Sequence, residues 1–200
     1  MSLFPPELRT LAVVPRWCIV ATTLKDNVAS HSFYVALYAR SVAELIGWKG
    51  DREYLMLNAL LHDHDESITG DITGPVKGVV TSEDAADFLY SKSMERMGGL
   101  LESFHDLEDS RPTHEVDEAN AVVLVADKLD ALLFLIMNRR MGNTFVEPAI
   151  EGGLKSLEGA WYHLPGTKEI KAKLWSTEIL PMIEDHMKRG ARGCAPGVVI

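Results

Sequence analysis

Residues 121–137 read AVVLVADKLDALLFLIM, which is the most hydrophobic stretch of the chain. Apolar residues occupy almost every face of a helix drawn through it, so the sequence predicts a buried helix over about residues 116–140 at the centre of the fold. An ionised Asp127 inside this stretch would carry a large desolvation cost unless another group paired with it. The alternatives are a hydrogen bond to nearby backbone, an ion pair with an arginine, or a bound cation.

The hydrophobic pattern predicts further helices on both sides of this segment. Apolar residues recur there at helical spacing, and capping residues or glycines mark several of the ends. The predicted helices span about residues 27–46, 51–63, 82–105, 146–157 and 167–188. We expect the third of them to bend at the Gly98-Gly99 pair.

Four segments lack the helical pattern. Residues 1–15 contain three prolines and are interpreted as a lead-in with one helical turn, whereas residues 16–25 carry β-branched side chains and are compatible with an extended segment. Glycine and proline in residues 69–75 indicate a loop, and the polar residues 106–115, which include a proline, are interpreted as a connection.

The chain as a whole is expected to form one all-α domain. We find no convincing strand ladder, no internal repeat and no linker that would divide it, and a length of 200 residues fits one domain better than two. We place the domain at residues 1–189. Residues 190–200 contain three glycines and a proline and are expected to be a flexible C-terminal tail.

The composition limits the possible partners. A net charge of −9 argues against binding of a nucleic acid polymer through a broad basic face. It leaves room for a small anionic substrate, because a cation and one or two basic side chains can reverse the field locally. Cys18 and Cys194 form no disulfide framework, and we see no signal peptide and no apolar run near the ~18 residues of a membrane span. We therefore expect a cytoplasmic protein that does not enter a membrane.

Three further polar residues lie where the pattern predicts burial. His31 is on the apolar face of its predicted helix, and His62-Asp63 follow an apolar stretch. A single histidine on such a face is more often a satisfied core residue than a metal ligand. Together with Asp127, however, these residues supply two imidazoles and two carboxylates from three successive helices, a ligand set that suits a first-row transition metal. Adjacent helix residues point about 100° apart, so both members of the pair can reach one ion only if they lie at a helix end or the ion sits between helices.

The order of these residues resembles a known metal signature. His31, then His62-Asp63, then Asp127 is similar to the H…HD…D signature of the HD-domain phosphohydrolase superfamily, whose members are helical bundles with a central metal. The flanking motifs narrow the resemblance over about residues 12–140. They are RW at 16–17, NV at 27–28, SHS at 30–32, HDHDESITGD at 62–71, PVK at 75–77 and AD at 126–127. Together they resemble the YfbR-like 5′-deoxynucleotidases and the related phage enzymes that remove triphosphate from dATP.

The resemblance implies roles for the residues that match its motifs. It assigns a divalent metal, which can be cobalt, manganese, zinc or magnesium, to the ligands His31, His62, Asp63 and Asp127. It makes Glu66 the group that acts on the attacking water or the leaving oxygen, and gives Asp71 a supporting or sugar-binding role. The substrate-binding residues that it implies are Arg16 and Lys77 for phosphate, Trp17 for base or ribose, and Ile19 and Pro75 for the base pocket.

The resemblance also implies the reaction. We expect hydrolysis of a small-molecule deoxynucleotide, with release of phosphate from deoxynucleoside 5′-monophosphates. The first alternative is a dNTP triphosphohydrolase, with dATP the favoured substrate, and the second is a non-catalytic HD module that senses a nucleotide. If a phage encodes the chain, the cytoplasm is that of its host. Apolar stretches on the later helices are compatible with a homodimer or a larger homo-oligomer.

Overall fold

The structure is a computed structural model that describes residues 5–73 and 83–189. It opens with a 3₁₀ helix, Pro6–Val13. The α-helices that follow are α1 (Val28–Leu45), α2 (Arg52–Leu61), α3 (Glu66–Thr69), α4 (Glu83–Asp109), α5 (Thr113–Arg140), α6 (Glu147–Trp161), α7 (Lys168–Leu174) and α8 (Leu180–Arg189). A 3₁₀ turn, Thr144–Val146, precedes α6, and a π-helical turn, Trp175–Ile179, separates α7 from α8.

The prediction of an all-α fold is confirmed. Within the two described ranges no strand occurs, and Pro15 and Asn27 form only a single antiparallel bridge. No helix in those ranges has both the length and the apolar character needed to cross a bilayer. The proposed tail at 190–200 and the predicted site residues Pro75 and Lys77 lie outside the described residues.

Three predictions about the connections are corrected. Residues 106–115 are mostly helical, because α4 continues to Asp109 and α5 begins at Thr113. The polar residues after Pro112 form the first turn of α5, where polar and acidic side chains are favoured. The bend in α4 lies at Met97, whose φ of −124° and ψ of 16° leave the helical range immediately before the glycine pair. Residues 16–25 form an irregular loop rather than a strand.

Helix α5 is the centre of the core, as its composition predicts. It packs against α1, α2 and α6. Alanines on the facing sides of α1 and α5, such as Ala39 and Ala126, are fully buried, and their small side chains let the two helices approach closely. Trp161 of α6 and Leu132 of α5 are also fully buried in this core. The first turn of α1 is thereby held against the middle of α5.

Side-chain caps fix where α1 and α2 begin. The side chain of Asn27 accepts a hydrogen bond from the backbone N–H of Ser30, and Asp51 accepts from the N–H groups of Glu53 and Tyr54. Helix α2 then ends at Leu61, so His62 and Asp63 follow directly after its last turn. The expectation that this pair lies at a helix end is confirmed.

One buried amide ties the loop of residues 14–27 to α5. Asn138 is fully buried; its Oδ1 accepts hydrogen bonds from the N–H groups of Thr23 and Leu24 at 2.7 and 3.0 Å, and its Nδ2 donates to the Phe134 carbonyl at 3.0 Å. These bonds satisfy loop N–H groups that would otherwise need a strand partner. The loop is therefore positioned by the same helix that carries Asp127.

A buried lysine closes the C-terminal end of α6. The ammonium of Lys171 donates to the carbonyls of Tyr162 and Leu164 at 2.7 and 2.8 Å, and the Lys171 carbonyl accepts from Trp161 Nε1 at 2.9 Å. The last carbonyls of a helix have no partner within it, so a lysine that reaches them stabilises the helix end.

Lys171→Met should lower the free energy of unfolding by about 1–3 kcal/mol, because it leaves buried carbonyls without a donor. Urea denaturation of the variant measures this change. Lys173→Met, at an exposed position on the same helix, is the matched control and should leave stability nearly unchanged. Equal stabilities for the two variants would contradict the capping role.

Candidate metal centre and substrate cavity

Four predicted residues from three helices meet at one place. Ligand atoms of His31, His62 and Asp63 all lie within 4.8 Å of one another, a spacing that could hold a metal ion. Asp127 Oδ1 joins this group at 3.2 Å from His31 Nε2. The oxygen Asp63 Oδ2 lies 3.2 Å from His62 Nε2 and 3.7 Å from His31 Nε2. We call these four residues the His/Asp cluster.

Hydrogen bonds at the far ring nitrogens orient both histidines. His62 Nδ1 lies 2.8 Å from the Ala59 carbonyl, which can only accept, so Nδ1 carries the proton and the lone pair is on Nε2. His31 Nδ1 lies 2.7 Å from Asp130 Oδ2, so an ionised Asp130 fixes the same tautomer. Both Nε2 atoms are buried, and within the described residues neither has a partner in good hydrogen-bond geometry, although carboxylate oxygens lie 3.2 Å away. Buried nitrogen lone pairs that converge with carboxylate oxygens fit a bound cation, and second bonds of this kind orient histidine ligands.

The electrostatics of the cluster favour positive charge. Burial lowers the pKa of His62, but the nearby Asp63 and Asp127 carboxylates outweigh burial and raise it. Burial raises the pKa of Asp127, but Lys128, His62 and Arg16 outweigh burial and lower it. Asp127 is thus ionised at neutral pH, and a cation beside it would be stabilised.

The Asp127 side chain is more exposed than the apolar sequence around it predicts. Its side chain is 20% exposed, and Oδ2 pairs with Lys128 Nζ at 2.7 Å. The sequence analysis considered an arginine as the ion-pair partner, but the partner is the next residue along α5. The two carboxylate oxygens are divided, because Oδ1 faces His31 while Oδ2 faces Lys128.

Asp130 is a site residue that the sequence analysis missed. It is 7% exposed, and burial, with Asp127 adding to the effect, raises its pKa to about 7 against the opposing charges of Arg16 and His62. A signal was present in the sequence, because Asp127 and Asp130 are three residues apart on an otherwise apolar helix and so share a face. Each of the two reaches a different ring nitrogen of His31.

Glu66 lies three residues after Asp63 along the chain. It is in α3, a single turn whose first N–H bonds back to the Asp63 carbonyl at 3.1 Å. The residue is only 3% exposed. Glu66 is therefore not a solvated acid at a helix end. A buried carboxylate here has the right chemistry for proton transfer.

A cavity of about 590 Å³ opens beside the cluster. Its volume is in the range of small-molecule sites. Asp127 and Lys128 line it from α5. Four further lining residues were predicted from the sequence to bind substrate or take part in catalysis. These are Arg16, Trp17, Ile19 and Asp71. All the predicted substrate-binding residues within the described ranges therefore line this one cavity.

The loop that forms one wall of this cavity adopts an unusual backbone conformation. Trp17 has a φ of +66°, a region that side chains other than glycine rarely adopt, and strain of this kind is common at functional sites. Two contacts hold it. Its N–H donates to Asp71 Oδ2 at 3.2 Å, and its indole stacks on Phe134 of α5 with ring centroids 5.5 Å apart.

Arg16 has donor groups available for an anion. Its Nε lies 3.9 Å from Asp26 Oδ2, whereas its buried Nη1 has no hydrogen-bond partner among the residues that the structure describes. Buried guanidinium donors are normally satisfied, and a planar donor fork matches phosphate.

Comparison with known proteins decides the family. A profile of the family described as 5′-deoxynucleotidase YfbR-like matches residues 4–168. The chain belongs to the YfbR-like 5′-deoxynucleotidase family. This YfbR-like chain is 30% identical over 156 residues to the 5′-deoxynucleotidase YfbR of Salmonella arizonae, covering 71% of this chain and 75% of that protein. It is 31% identical over 144 residues to a dATP triphosphohydrolase of Salmonella phage PMBT28, covering 68% of each.

The solved structures agree with the fold. The cyanophage S-2L HD phosphohydrolase DatZ, described as bound to dA and one catalytic Zn²⁺ ion, superposes on the YfbR-like chain with a TM-score of 0.66. The match covers 92% of this chain and 95% of that chain at 22% identity. The all-α architecture is therefore that of an HD phosphohydrolase.

Asp130→Asn should weaken metal binding about 10–100-fold, because it removes the carboxylate that orients His31. Calorimetric titration with zinc or manganese measures the change in Kd. Asp117→Asn, at an exposed position on the same helix, is the matched control and should bind metal like the unmodified protein. An unchanged Kd in Asp130→Asn would contradict the orienting role.

Proposed function

We propose that this protein hydrolyses 2′-deoxynucleotides with the help of a divalent metal ion, and that its main reaction releases phosphate from deoxynucleoside 5′-monophosphates. The observation that carries the proposal is the position of Asp127, whose carboxylate belongs both to the His/Asp cluster and to the wall of the 590 Å³ cavity. A metal held by the cluster would lie beside the space that receives substrate. Family membership supports the same reaction, since the bacterial relatives are named as 5′-deoxynucleotidases.

His31, His62, Asp63 and Asp127 would hold the metal. Their two nitrogen and two oxygen donors suit zinc, manganese or cobalt, and magnesium is the fourth candidate. When bound, such an ion supplies charge neutralisation and Lewis acidity at the phosphoryl group. The residues of this chain do the rest: they position the substrate, orient the histidines and move the proton.

Glu66 would carry out the proton transfer. Hydrolysis needs a base for the attacking water and an acid for the leaving 5′ oxygen, and a buried carboxylate among other acids can be tuned for such work. Asp71, which lines the cavity, would support this step. Since its carboxylate accepts the Trp17 N–H, it also keeps the loop with Arg16 in place.

Arg16 and Lys128 would bind the phosphate. Both line the cavity, Arg16 as a planar donor fork and Lys128 as a point charge that also pairs with Asp127. Trp17 would pack against base or ribose. Ile19 is 69% exposed and would contribute only the rim of the base pocket. The roles of Pro75 and Lys77 stay predictions.

A dNTP triphosphohydrolase is the second candidate. The specific observation in its favour is Lys128, because a second basic group on the cavity would suit a longer phosphate chain. The similarity to a phage dATP triphosphohydrolase supports the same alternative. The two candidates differ in the product released, which is phosphate in one case and triphosphate in the other.

Self-association into a dimer or larger homo-oligomer also stays a prediction. Phe33, Tyr34 and Leu37 are 53%, 47% and 44% exposed on α1, and apolar residues of this kind are compatible with an interface.

The metal assignment is tested with Asp127→Ala. This variant should lose bound metal and most hydrolytic activity, because the carboxylate that faces His31 and serves as a ligand is removed. Metal content by mass spectrometry and activity on deoxynucleotides are the readouts, with Asp117→Ala as the control on the same helix. Full metal content in Asp127→Ala would overturn the ligand assignment.

The reaction is tested with Glu66→Gln on a panel of deoxynucleoside 5′-mono- and triphosphates in the presence of manganese or cobalt. We expect the unmodified protein to release phosphate from monophosphates, and Glu66→Gln to lower kcat by about 10²–10⁴-fold. Ion chromatography separates phosphate from triphosphate. Glu53→Gln, at an exposed position in α2, is the control.

Three outcomes decide between the candidates. Release of triphosphate instead of phosphate would favour the second candidate. Unchanged turnover in Glu66→Gln would refute the proton-transfer role. Binding of nucleotide without any turnover would indicate a sensing module.

A further inference from the structure

The cavity has a charged side and an uncharged side. The inference drawn from this division rests on the proposed function and extends it to the choice of base. Arg16, Asp127 and Lys128 lie on the loop and on α5. The wall supplied by α6 carries only small residues, namely Ala149, Gly152, Gly153 and Ser156. A phosphate is attracted to the charged side, so the uncharged wall is left for the nucleoside.

The two adjacent glycines of this wall face different neighbours. A Cβ atom added at Gly153 would lie 3.5 Å from Leu132 Cδ1, so Gly153 faces the core side of α5. A Cβ atom added at Gly152 would have no atom within 4 Å. Gly152 is exposed and also lines the cavity, so a side chain added there would extend from the cavity wall into open space.

Neither backbone conformation nor close packing requires glycine at position 152. Among the described residues, the glycines with positive φ are Gly47, Gly70, Gly142 and Gly166, so Gly152 has an ordinary helical backbone. Glycine within a helix is less stable than alanine by roughly 0.5–1 kcal/mol. What glycine provides at this position is room.

We propose that Gly152 sets the size of the nucleobase that the cavity admits. The base lies along the α6 wall, between that helix and the loop of Trp17, and the missing side chain at position 152 makes space for the larger purine ring system. A larger residue there would exclude purines before pyrimidines. Gly152 is thus a specificity-determining residue and not a catalytic one.

The helix offers a matched control for this proposal. Gly159 lies two turns further along α6, a Cβ atom added there would also meet nothing within 4 Å, and Gly159 is not among the residues that line the cavity. Gly152→Leu and Gly159→Leu therefore make the same chemical change on the same helix. Only the first places a side chain in the cavity.

The experiment compares kcat/KM on deoxyadenosine and deoxycytidine 5′-monophosphates for the unmodified protein and both variants. One misfitting group in a pocket changes discrimination by about 10–200-fold. We expect Gly152→Leu to lose at least about tenfold on the purine and clearly less on the pyrimidine. Gly159→Leu should match the unmodified protein on both substrates. Metal content and melting temperature should be maintained in both variants.

Two further results keep the inference separate from the proposed function. If Gly152→Leu fails to fold, Gly152→Ala replaces it, since alanine favours the helix; its purine-to-pyrimidine ratio should fall in the same direction by a smaller factor. Unchanged ratios, or equal losses on both bases, in an enzyme that is otherwise active would overturn the inference alone. An unmodified protein that cleaves none of the deoxynucleotides would overturn the proposed function and the inference with it.

Discussion

The structure depends on one buried imidazole held between two aspartates of the same helix. His31 is fully buried; its Nδ1 lies 2.7 Å from Asp130 and its Nε2 lies 3.2 Å from Asp127. Polar groups at this depth are stable only when they are paired, so α1 and α5 must keep a fixed register for the core to form. The register of α1 and α5 that packs the bundle is therefore also the register that sets the geometry of the candidate metal centre.

Helix α5 also fixes the substrate side of the site. Asn138 binds the backbone of the loop that carries Arg16, and Phe134 stacks on Trp17. Asp127, two to three turns earlier on the same helix, belongs to the His/Asp cluster. Because one rigid helix carries all three contacts, the loop of Arg16 and the His/Asp cluster are held in fixed positions relative to each other. Precise positioning of this kind is what hydrolysis requires from residues that do not themselves react.

The sequence predicts the helices well because their apolar periodicity is strong, and it predicts the His/Asp cluster because each of its members interrupts an apolar pattern. The sequence does not predict roles that depend on pairing between polar groups, whether the partner is far away along the chain or is the next residue. Asp130 and Lys128 were missed because each looks like an ordinary charge until His31 and Asp127 are seen beside them. The left-handed Trp17 depends on Asp71, 54 residues away, so no local pattern could reveal it.

The distribution of charge explains how an acidic protein can take an anionic substrate. The chain carries a net charge of −9, which repels polyanions at a distance. In the cavity, however, Arg16 from the loop and Lys128 from α5 lie on the charged side, and a divalent cation in the His/Asp cluster would reverse the local field. Positive charge is then confined to a volume of about 590 Å³, which suits a nucleotide and is too small for a duplex. On the proposed function, selection for small substrates follows from where the charges lie, and the uncharged α6 wall is the surface proposed to select among bases.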